Sequence, residues 1–256
     1  MSTATGKGLI LGIDIGGSGI KGAPVDLAKG EFAAERVRID TPKKAKPEDV
    51  AEIVAQIADD FADELGKDSP VGVTVPAVVH HGVTKSAANI DDSWIDTDAD
   101  KLFTKVLGRP VLVMNDADAA GQAEMHFGAG QDRAGVVLMT TLGTGIGSAL
   151  FLNGQLVPNT ELGHLELDGK EAEDRAASSV REDKDLSWEE WAERLQDFYR
   201  HVEDLFWPDL IIVGGGVSKK ADKFLPLLDL RTEIVPAQLR NDAGIIGAAW
   251  QASQFS

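Results

Sequence analysis

The sequence contains no cysteine, which removes disulfides, thiolate metal sites and cysteine nucleophiles from the candidate chemistry. It also lacks any apolar run near the ~20 residues that a membrane-spanning helix requires. Residues 1–8 are short and polar and lead directly into the first predicted strand, so they leave no room for a signal peptide. We therefore expect a cytoplasmic protein without a membrane partner.

Basic residues are outnumbered, with 25 Lys and Arg against 42 Asp and Glu, which gives a net charge of −17. Such a balance repels nucleic acid phosphates unless cations are locally concentrated. No long basic run appears, although residues 41–47 (T-P-K-K-A-K-P) form a basic, proline-bounded loop. We expect no nucleic-acid partner.

Glycine, in contrast, is abundant and clustered. Residues 9–26 predict an apolar strand ending on Asp14, a turn containing Gly16, Gly17 and Gly19, and a second strand. Glycine lets a turn reach positive φ and lets its N–H groups approach an anion closely, which suits phosphate. A carboxylate beside bound phosphates needs a divalent cation or water between them, so Asp14 predicts Mg²⁺, held through water. An ordinary β-hairpin is the alternative.

The same pattern recurs in residues 135–153, where a turn containing Gly143, Gly145 and Gly147 joins two apolar strands. Two copies of one unit predict a duplicated architecture with two lobes. A further glycine turn, Gly214 to Gly216, follows a buried strand and precedes a helix start, where a nucleotide or another phosphate ligand can lie close to the backbone.

A candidate catalytic aspartate, Asp116, follows the apolar run V-L-V-M and Asn115. A helix-prone segment comes directly after it. Open α/β sheets place ligands at this kind of strand end. A carboxylate at a helix N-terminus stays ionised and can deprotonate a hydroxyl that attacks phosphorus. A simple N-cap is the alternative for Asp116. Asp118 is interpreted as a cap or surface residue.

Three further polar side chains are candidates for ligand contact. Asn89 lies in a polar segment and contacts a ligand or stabilises a turn. Glu161 and His164 are three residues apart, so a helical turn or tight loop can aim both at one place. The alternative is a histidine satisfied by its neighbouring glutamate.

Helical periodicity predicts a helix from Val50 that ends at Gly66, and a long helix that Ser187 starts with Glu190 in capping-box position. The apolar stripe of the long helix is interpreted as core or subunit contact without a binding role. Its members are Trp188, Trp191, Leu195, Phe198, Val202 and Leu205.

Taken in order, these segments resemble the ROK family of sugar kinases and regulators within the actin-like ATPase superfamily. D-I-G-G-S-G-I-K-G resembles the first phosphate motif, T-L-G-T-G-I-G-S-A the second, and I-V-G-G-G-V-S-K the nucleotide-side motif. The resemblance implies donor contacts at the following positions: Asp14, Gly16, Gly17, Ser18, Gly19, Lys21, Thr141, Gly143, Thr144, Gly145, Gly214, Gly215 and Gly216.

By the same resemblance Asp116 is the catalytic base that takes a proton from the sugar hydroxyl. The implied sugar-binding set is Asn89, Asn115, Asp116, Glu161, His164 and Glu173. Most family members carry a cysteine-rich zinc site after the E-x-G-H element, whereas this chain has no cysteine, so zinc is not expected. The zinc-free form looks most like the polyphosphate glucokinases, which phosphorylate glucose from inorganic polyphosphate and often ATP.

A polyphosphate donor requires a local basic track on a chain of net charge −17. We expect it near the third glycine turn, among the residues Lys219, Lys220, Lys223, Arg231 and Arg240. Screening over about 8–10 Å makes a local patch sufficient despite the overall sign.

The resemblance implies a two-lobed α/β fold with duplicated mixed sheets flanked by helices and an active-site cleft between the lobes. The expected lobes are residues 1–115 with 241–256, and residues 116–240. We expect a Mg²⁺-dependent glucokinase, a homodimer, that uses polyphosphate, ATP or both, with mannose as another acceptor. The alternatives are an ATP-only hexokinase, a sugar-sensing regulator, which needs a DNA-binding module before the first strand, and a filament-forming actin relative.

Overall fold

The computed structural model describes residues 9–87 and 90–254. The chain forms two compact units, one containing the residues up to Ala123 and from Asp242 onward, the other Glu124–Asn241. The boundary between Ala123 and Glu124 lies inside the helix formed by Asp116–Phe127, whereas we expected the boundary after residue 115.

The strands of the described residues are numbered in chain order. They are β1 (Leu9–Ile15), β2 (Ile20–Asp26), β3 (Glu31–Phe32), β4 (Val37–Ile39), β5 (Val71–Val75), β6 (Val79–His80), β7 (Val83–Thr84), β8 (Val111–Asn115), β9 (Val136–Leu142), β10 (Ile146–Leu152), β11 (Gln155–Val157), β12 (Glu166–Leu167), β13 (Lys170–Glu171), β14 (Leu210–Gly214) and β15 (Glu233–Pro236).

Helices connect and cover these strands. They are α1 (Pro47–Asp60), α2 (Ala99–Leu107), α3 (Asp116–Phe127), α4 (Ala172–Ala176), α5 (Ser178–Asp183), α6 (Trp188–Phe206), α7 (Ala221–Phe224) and α8 (Ala243–Ser253). Short 3₁₀ turns include Asp92–Trp94, Leu162–His164 and Gly216–Lys220. Among residues 9–87 and 90–254, no helix is both long enough and apolar enough to cross a bilayer.

Each unit is built on one mixed sheet. The first has the order β3-β2-β1-β5-β8, with β4 also paired to β2, and the second has the order β11-β10-β9-β14-β15. In both, an antiparallel hairpin (β1–β2 or β9–β10) continues through two parallel strands. The first two predicted glycine turns form the tips of these hairpins. The duplicated mixed sheets flanked by helices confirm the predicted α/β class.

Helix α8 lies directly on the sheet of the first unit because small residues face it. A Cβ atom added at Gly12 would lie 2.0 Å from the carbonyl oxygen of Ile245, and one added at Gly72 would lie 1.9 Å from that of Ala248. Only glycine on the strands allows this approach. The last helix thereby closes the layer that carries the first glycine turn.

Helix α1 covers the same unit with a fully buried face that includes Val50, Val54 and Ile57. The prediction that Gly66 ends it is wrong. The helix stops at Asp60, and the N–H of Phe61 bonds to the carbonyls of Ala58 and Asp59, which closes the last turn before the glycine.

Helix α6 forms the core of the second unit and begins as predicted. Ser187 and Glu190 make both hydrogen bonds of a capping box. The buried stripe members are Trp191, Leu195, Phe198 and Val202, whereas Leu205 is 54% exposed. Most of the stripe is therefore buried within its own unit and is not available for a subunit contact.

A buried carboxylate joins the two ends of the second unit. Glu124, at its first residue, is fully buried. It accepts hydrogen bonds from the backbone N–H groups of Ala129 (2.8 Å), Gln238 (3.1 Å) and Leu239 (2.7 Å). Charged acceptors make strong hydrogen bonds, so this side chain fixes where the chain enters and leaves the unit.

Replacing Glu124 with alanine should lower the free energy of unfolding by about 3 kcal/mol, because three N–H groups lose a charged acceptor. Urea titration followed by circular dichroism measures the change. Glu193→Ala, at an exposed position of α6, is the matched control and should stay within about 0.5 kcal/mol of the parent. Equal stability of the two variants would contradict this role for Glu124.

Candidate active site

Strand register places Asp14 between two polar neighbours. In the pairing of β1 with β2, Asp14 lies opposite Lys21, and in the pairing with β5 it lies opposite Thr74. The Thr74 hydroxyl donates to Asp14 Oδ1 at 2.9 Å, and Lys21 Nζ lies 3.4 Å from Oδ2. The carboxylate is therefore oriented on one side and faces a cation on the other.

The first glycine turn is held from outside by two side chains. The Thr41 hydroxyl donates to the Gly16 carbonyl at 2.6 Å, and Arg38 Nη2 donates to the Ser18 carbonyl at 2.8 Å. The expected positive φ is not found at Gly16, Gly17 or Gly19. A Cβ added at Gly19 would lie 2.7 Å from Arg38 Nε, so a larger residue there would require the end of that flexible side chain to shift.

Asn115 and Asp116 occupy the junction of β8 and α3, as predicted. Asn115 Oδ1 accepts hydrogen bonds from the N–H groups of Ala117 (2.8 Å) and Asp118 (3.1 Å), and its Nδ2 donates to the Ala77 carbonyl at 3.1 Å. This pattern is an N-cap. Asp116, also 2.8 Å from the Ala117 nitrogen, lies half-buried in the first helical turn.

Asn115 therefore makes most of the capping hydrogen bonds that the alternative interpretation assigned to Asp116. Asp118 is 2% exposed, so its interpretation as a surface residue is wrong. It faces inward from the first turn of α3. Asn89 lies outside the described residues.

The segment carrying Glu161 and His164 is anchored to the second hairpin by Ser148 of β10. The Ser148 hydroxyl donates to the Thr160 carbonyl at 2.8 Å and accepts from the Leu162 N–H at 3.1 Å. The 3₁₀ turn that follows brings His164 Nε2 to 3.8 Å from Glu161 Oε2. The predicted convergence of these two side chains is thus present in the structure.

Glu173, on α4, packs against the second glycine turn. Its Oε2 accepts from the Ile146 N–H at 3.1 Å. A Cβ added at Gly145 would lie 2.4 Å from that oxygen, and one at Gly163 would lie 3.1 Å from it. Glycine at both positions makes room for the carboxylate, which joins Glu161 and His164 in one polar cluster.

Glu171, which sequence reasoning missed, completes this cluster. Its Oε2 lies 2.8 Å from His164 Nδ1. The hydrogen bond to Glu171 raises the pKa of His164, against a smaller opposing effect of burial, and the carboxylates of Glu173, Glu171 and Glu161 add to the increase. Burial raises the pKa of Glu161, with His164 opposing the increase.

One donor atom each from His164, Glu171 and Glu173 lie within 4.8 Å of one another, a spacing that a cation can occupy. Two of the three side chains are exposed. The expectation of no zinc stays a prediction.

The third glycine turn borders a cavity in the second unit. Gly215 has φ 80°, and a Cβ there would lie 2.3 Å from the Leu142 carbonyl oxygen, so only glycine fits both constraints. The cavity has a volume of about 460 Å³. It is lined by Leu142, Gly143, Thr144, Ser178, Ser179, Arg181, Glu182, Trp188, Gly216, Val217 and Lys220.

Only some of the residues predicted to contact the phosphoryl donor line this cavity. Gly143, Thr144 and Gly216 line it, whereas Thr141, Gly145, Gly214 and Gly215 are not among its lining residues. Of those four, Thr141 and Gly214 pair with each other across β9 and β14.

Two residues that line the cavity pack against each other. The Arg181 guanidinium lies 3.7 Å from the centre of the Trp188 ring. Trp188 in turn stacks on Phe224 at 6.1 Å between ring centres. Trp188 thus lines the cavity and also packs against the core of the second unit, so the interpretation of the stripe as lacking a binding role stays a prediction.

The basic residues expected near the third turn behave differently from one another. Lys220 lines the cavity. Lys223 pairs with Asp222 at 3.5 Å, and Arg231 pairs with Asp204 at 2.9 Å. Two of the five predicted cations are thus neutralised locally, and a continuous track there is not supported.

The chain belongs to the ROK family, because the model of that family matches residues 10–178. It is 52% identical over 239 residues to the polyphosphate glucokinase of Mycobacterium tuberculosis (strain ATCC 25618 / H37Rv), covering 93% of this chain and 89% of that protein.

Solved structures extend the likeness to three dimensions. The inorganic polyphosphate/ATP-glucomannokinase from Arthrobacter sp. strain KM is 55% identical with a TM-score of 0.93, covering 98% of this chain and 100% of that one. The ROK family glucokinase from Streptomyces griseus, in complex with glucose and AMPPNP, is 24% identical with a TM-score of 0.83, covering 96% and 100%. At that identity it shows the shared fold.

Removal of the Asn115 side chain should destabilise the start of α3. We expect Asn115→Ala to lower the free energy of unfolding by about 1 kcal/mol, the usual cost of a lost N-cap. Asn115→Asp keeps an acceptor for the two N–H groups and should retain most of the stability. Thermal unfolding of both variants measures the difference, and an equal loss in each would contradict the capping role.

Proposed function

We propose that this protein is a glucokinase that transfers a terminal phosphoryl group from inorganic polyphosphate or ATP to the 6-hydroxyl of glucose, with mannose as a second acceptor. The observation that carries the proposal is the 55% identity, over 98% of the chain, to a polyphosphate/ATP-glucomannokinase of nearly the same fold. The half-buried carboxylate of Asp116 at a helix start supplies the chemistry.

Asp116 acts as the general base. The N-terminus of α3 favours its ionised form. A positioned carboxylate accepts the proton of the sugar hydroxyl as that oxygen attacks phosphorus in line. Asn115 then has a positioning role, because capping α3 fixes the backbone from which Asp116 projects.

The sugar is bound by the cluster of Glu161, His164 and Glu173, together with Asn89 and Asn115. Carboxylates and amides suit vicinal hydroxyls because each can make two hydrogen bonds with defined direction. The proposal requires this cluster and Asp116 to meet the same sugar.

The donor is held by the glycine turns and the cavity of the second unit. The turns place backbone N–H groups beside the phosphates. Arg181 and Lys220 line the cavity and provide positive charge for the phosphates of ATP.

Asp14 fits a magnesium ion held through water. Mg²⁺ keeps several waters and uses one or two carboxylates together with substrate phosphates. Asp14 offers one carboxylate whose Oδ1 is already engaged by Thr74 at 2.9 Å, and Lys21 lies beside Oδ2 at 3.4 Å. When bound, the ion neutralises charge on the phosphates, and Lys21 contributes a second positive charge.

The assembly and compartment follow from the same proposal. We place the enzyme in the cytoplasm, where ATP and glucose meet, and retain a homodimer as the expected assembly on the family resemblance alone. The buried stripe of α6 no longer supports it.

Asp116→Asn should lower kcat by about 10²–10⁴-fold, the usual range for a general base. Glucose binding should survive better than turnover, because the amide keeps most of the size and polarity. Steady-state kinetics with ATP and calorimetric glucose binding measure the two effects. Asp60→Asn, an exposed acid at the end of α1, is the matched control. A kcat within threefold of that of the parent would contradict the assignment of Asp116 as the general base.

The reaction itself is tested by a coupled assay for glucose 6-phosphate with ATP and polyphosphate supplied separately. Product with ATP alone would identify an ATP-only hexokinase. Absence of product with both donors would overturn the enzymatic assignment.

We also propose that Glu171 positions His164 for the sugar. With Nδ1–H donating to Glu171, Nε2 of the neutral ring is left as an acceptor for a sugar hydroxyl. Protonation of His164 removes that acceptor. Since Glu171 raises the pKa of His164, activity should fall on the acid side at a higher pH than an isolated histidine would give.

Glu171→Gln should move the acid limb of log(kcat/KM) to lower pH, because the amide oxygen still accepts from Nδ1–H but carries no charge. Glu171→Ala should move the limb equally and also raise KM for glucose about 10-fold at pH 8, because the ring loses its anchor. Glu161 and Glu173 remain in both variants, so the displacement reports Glu171. Glu166→Gln, the cross-strand partner of Glu171, is the control. An unmoved limb in both variants would refute the proposal.

A further inference from the structure

Positive charge is concentrated in one short stretch of this acidic chain. Residues 38–46, called the basic loop here, contain Arg38, Lys43, Lys44 and Lys46 against a single acid, Asp40. Four cations minus one anion leave +3, in a chain of net charge −17. Because charges are screened over about 8–10 Å, a local excess of cations can attract a polyanion despite the overall sign of the chain.

The structure fastens the basic loop to the first glycine turn. Thr41 and Arg38 donate to the carbonyls of Gly16 and Ser18 at 2.6 Å and 2.8 Å. At its other end the buried Trp94 indole N–H donates to the Ala45 carbonyl at 2.7 Å. The loop is thus held at both ends, and one end lies at the turn proposed to bind phosphate.

The three lysines of the basic loop are exposed. Within residues 9–87 and 90–254, none of them has an ion-pair partner within 4.0 Å. Asp91 senses Lys46 and Lys44 electrostatically, as the smallest contributions to its lowered pKa, after its hydrogen bonds to Ser93 and the opposing effect of burial. By contrast Lys29, Lys85 and Lys101 of the same unit each pair with an acid.

We propose that the basic loop binds the part of a polyphosphate chain that extends beyond the terminal phosphates held at the glycine turns. This inference rests on the proposed function. A long polyanion gains from each cation it meets, because it releases condensed counterions. ATP carries only three phosphates, whereas a polymer continues beyond the phosphates held at the turns. The lysines of the basic loop should therefore matter more for the polymeric donor than for ATP.

The test compares the double variant Lys43→Ala, Lys44→Ala with the double variant Lys67→Ala, Lys105→Ala. All four lysines are exposed and in the first unit, so the two variants lose the same charge. KM and kcat are measured with long-chain polyphosphate, tripolyphosphate and ATP, each at several salt concentrations.

We expect the basic-loop variant to raise KM for long-chain polyphosphate about 10-fold and to flatten its salt dependence. KM for ATP and for tripolyphosphate should change less than about twofold, and the control variant should match the parent with every donor. An equal loss with ATP, or no loss with long-chain polyphosphate, would overturn the inference.

The two proposals fail in different ways. A parent enzyme active with ATP but not with polyphosphate would refute the basic-loop inference and leave a sugar kinase. A parent enzyme inactive with every donor would refute the proposed function.

Discussion

The register of β1 between β2 and β5 is the constraint on which the candidate site depends. It sets Lys21 and Thr74 on either side of Asp14 and places the first glycine turn at the end of the hairpin. A shift of one residue would turn Asp14 to the opposite face of the sheet. Close packing of α8 on Gly12 and Gly72 holds β1 and β5 where this register needs them.

Much of the fold could be predicted because its determinants are local. Apolar runs interrupted by clustered glycines predicted both hairpins, and Ser187 with Glu190 predicted the start of α6. The end of α1 was mispredicted because Gly66 resembles a C-terminal stop, whereas the chain already leaves the helix at Phe61. A local pattern identifies a residue able to end a helix but does not show whether an earlier turn ends it first.

The candidate site was predictable where one strand or turn supplies the residue, and not where distant segments meet. Glu161 and His164 were found by their spacing, and the junction at Asn115 by the strand before it. Glu171 was missed because its link to His164 depends on the short hairpin of β12 and β13. Trp188 shares the helical period of core residues, and its place beside the cavity depends on Arg181, which packs over its ring from another helix.

The second unit is one uninterrupted segment, Glu124–Asn241, while the first is assembled from two stretches. Its entry and exit are joined by the Glu124 carboxylate, which bonds to the backbone of Gln238 and Leu239. The first unit depends instead on α8, whose residues Ile245 and Ala248 lie against Gly12 and Gly72. These contacts join segments far apart in the sequence, and contacts of that kind slow folding because a long loop must close first.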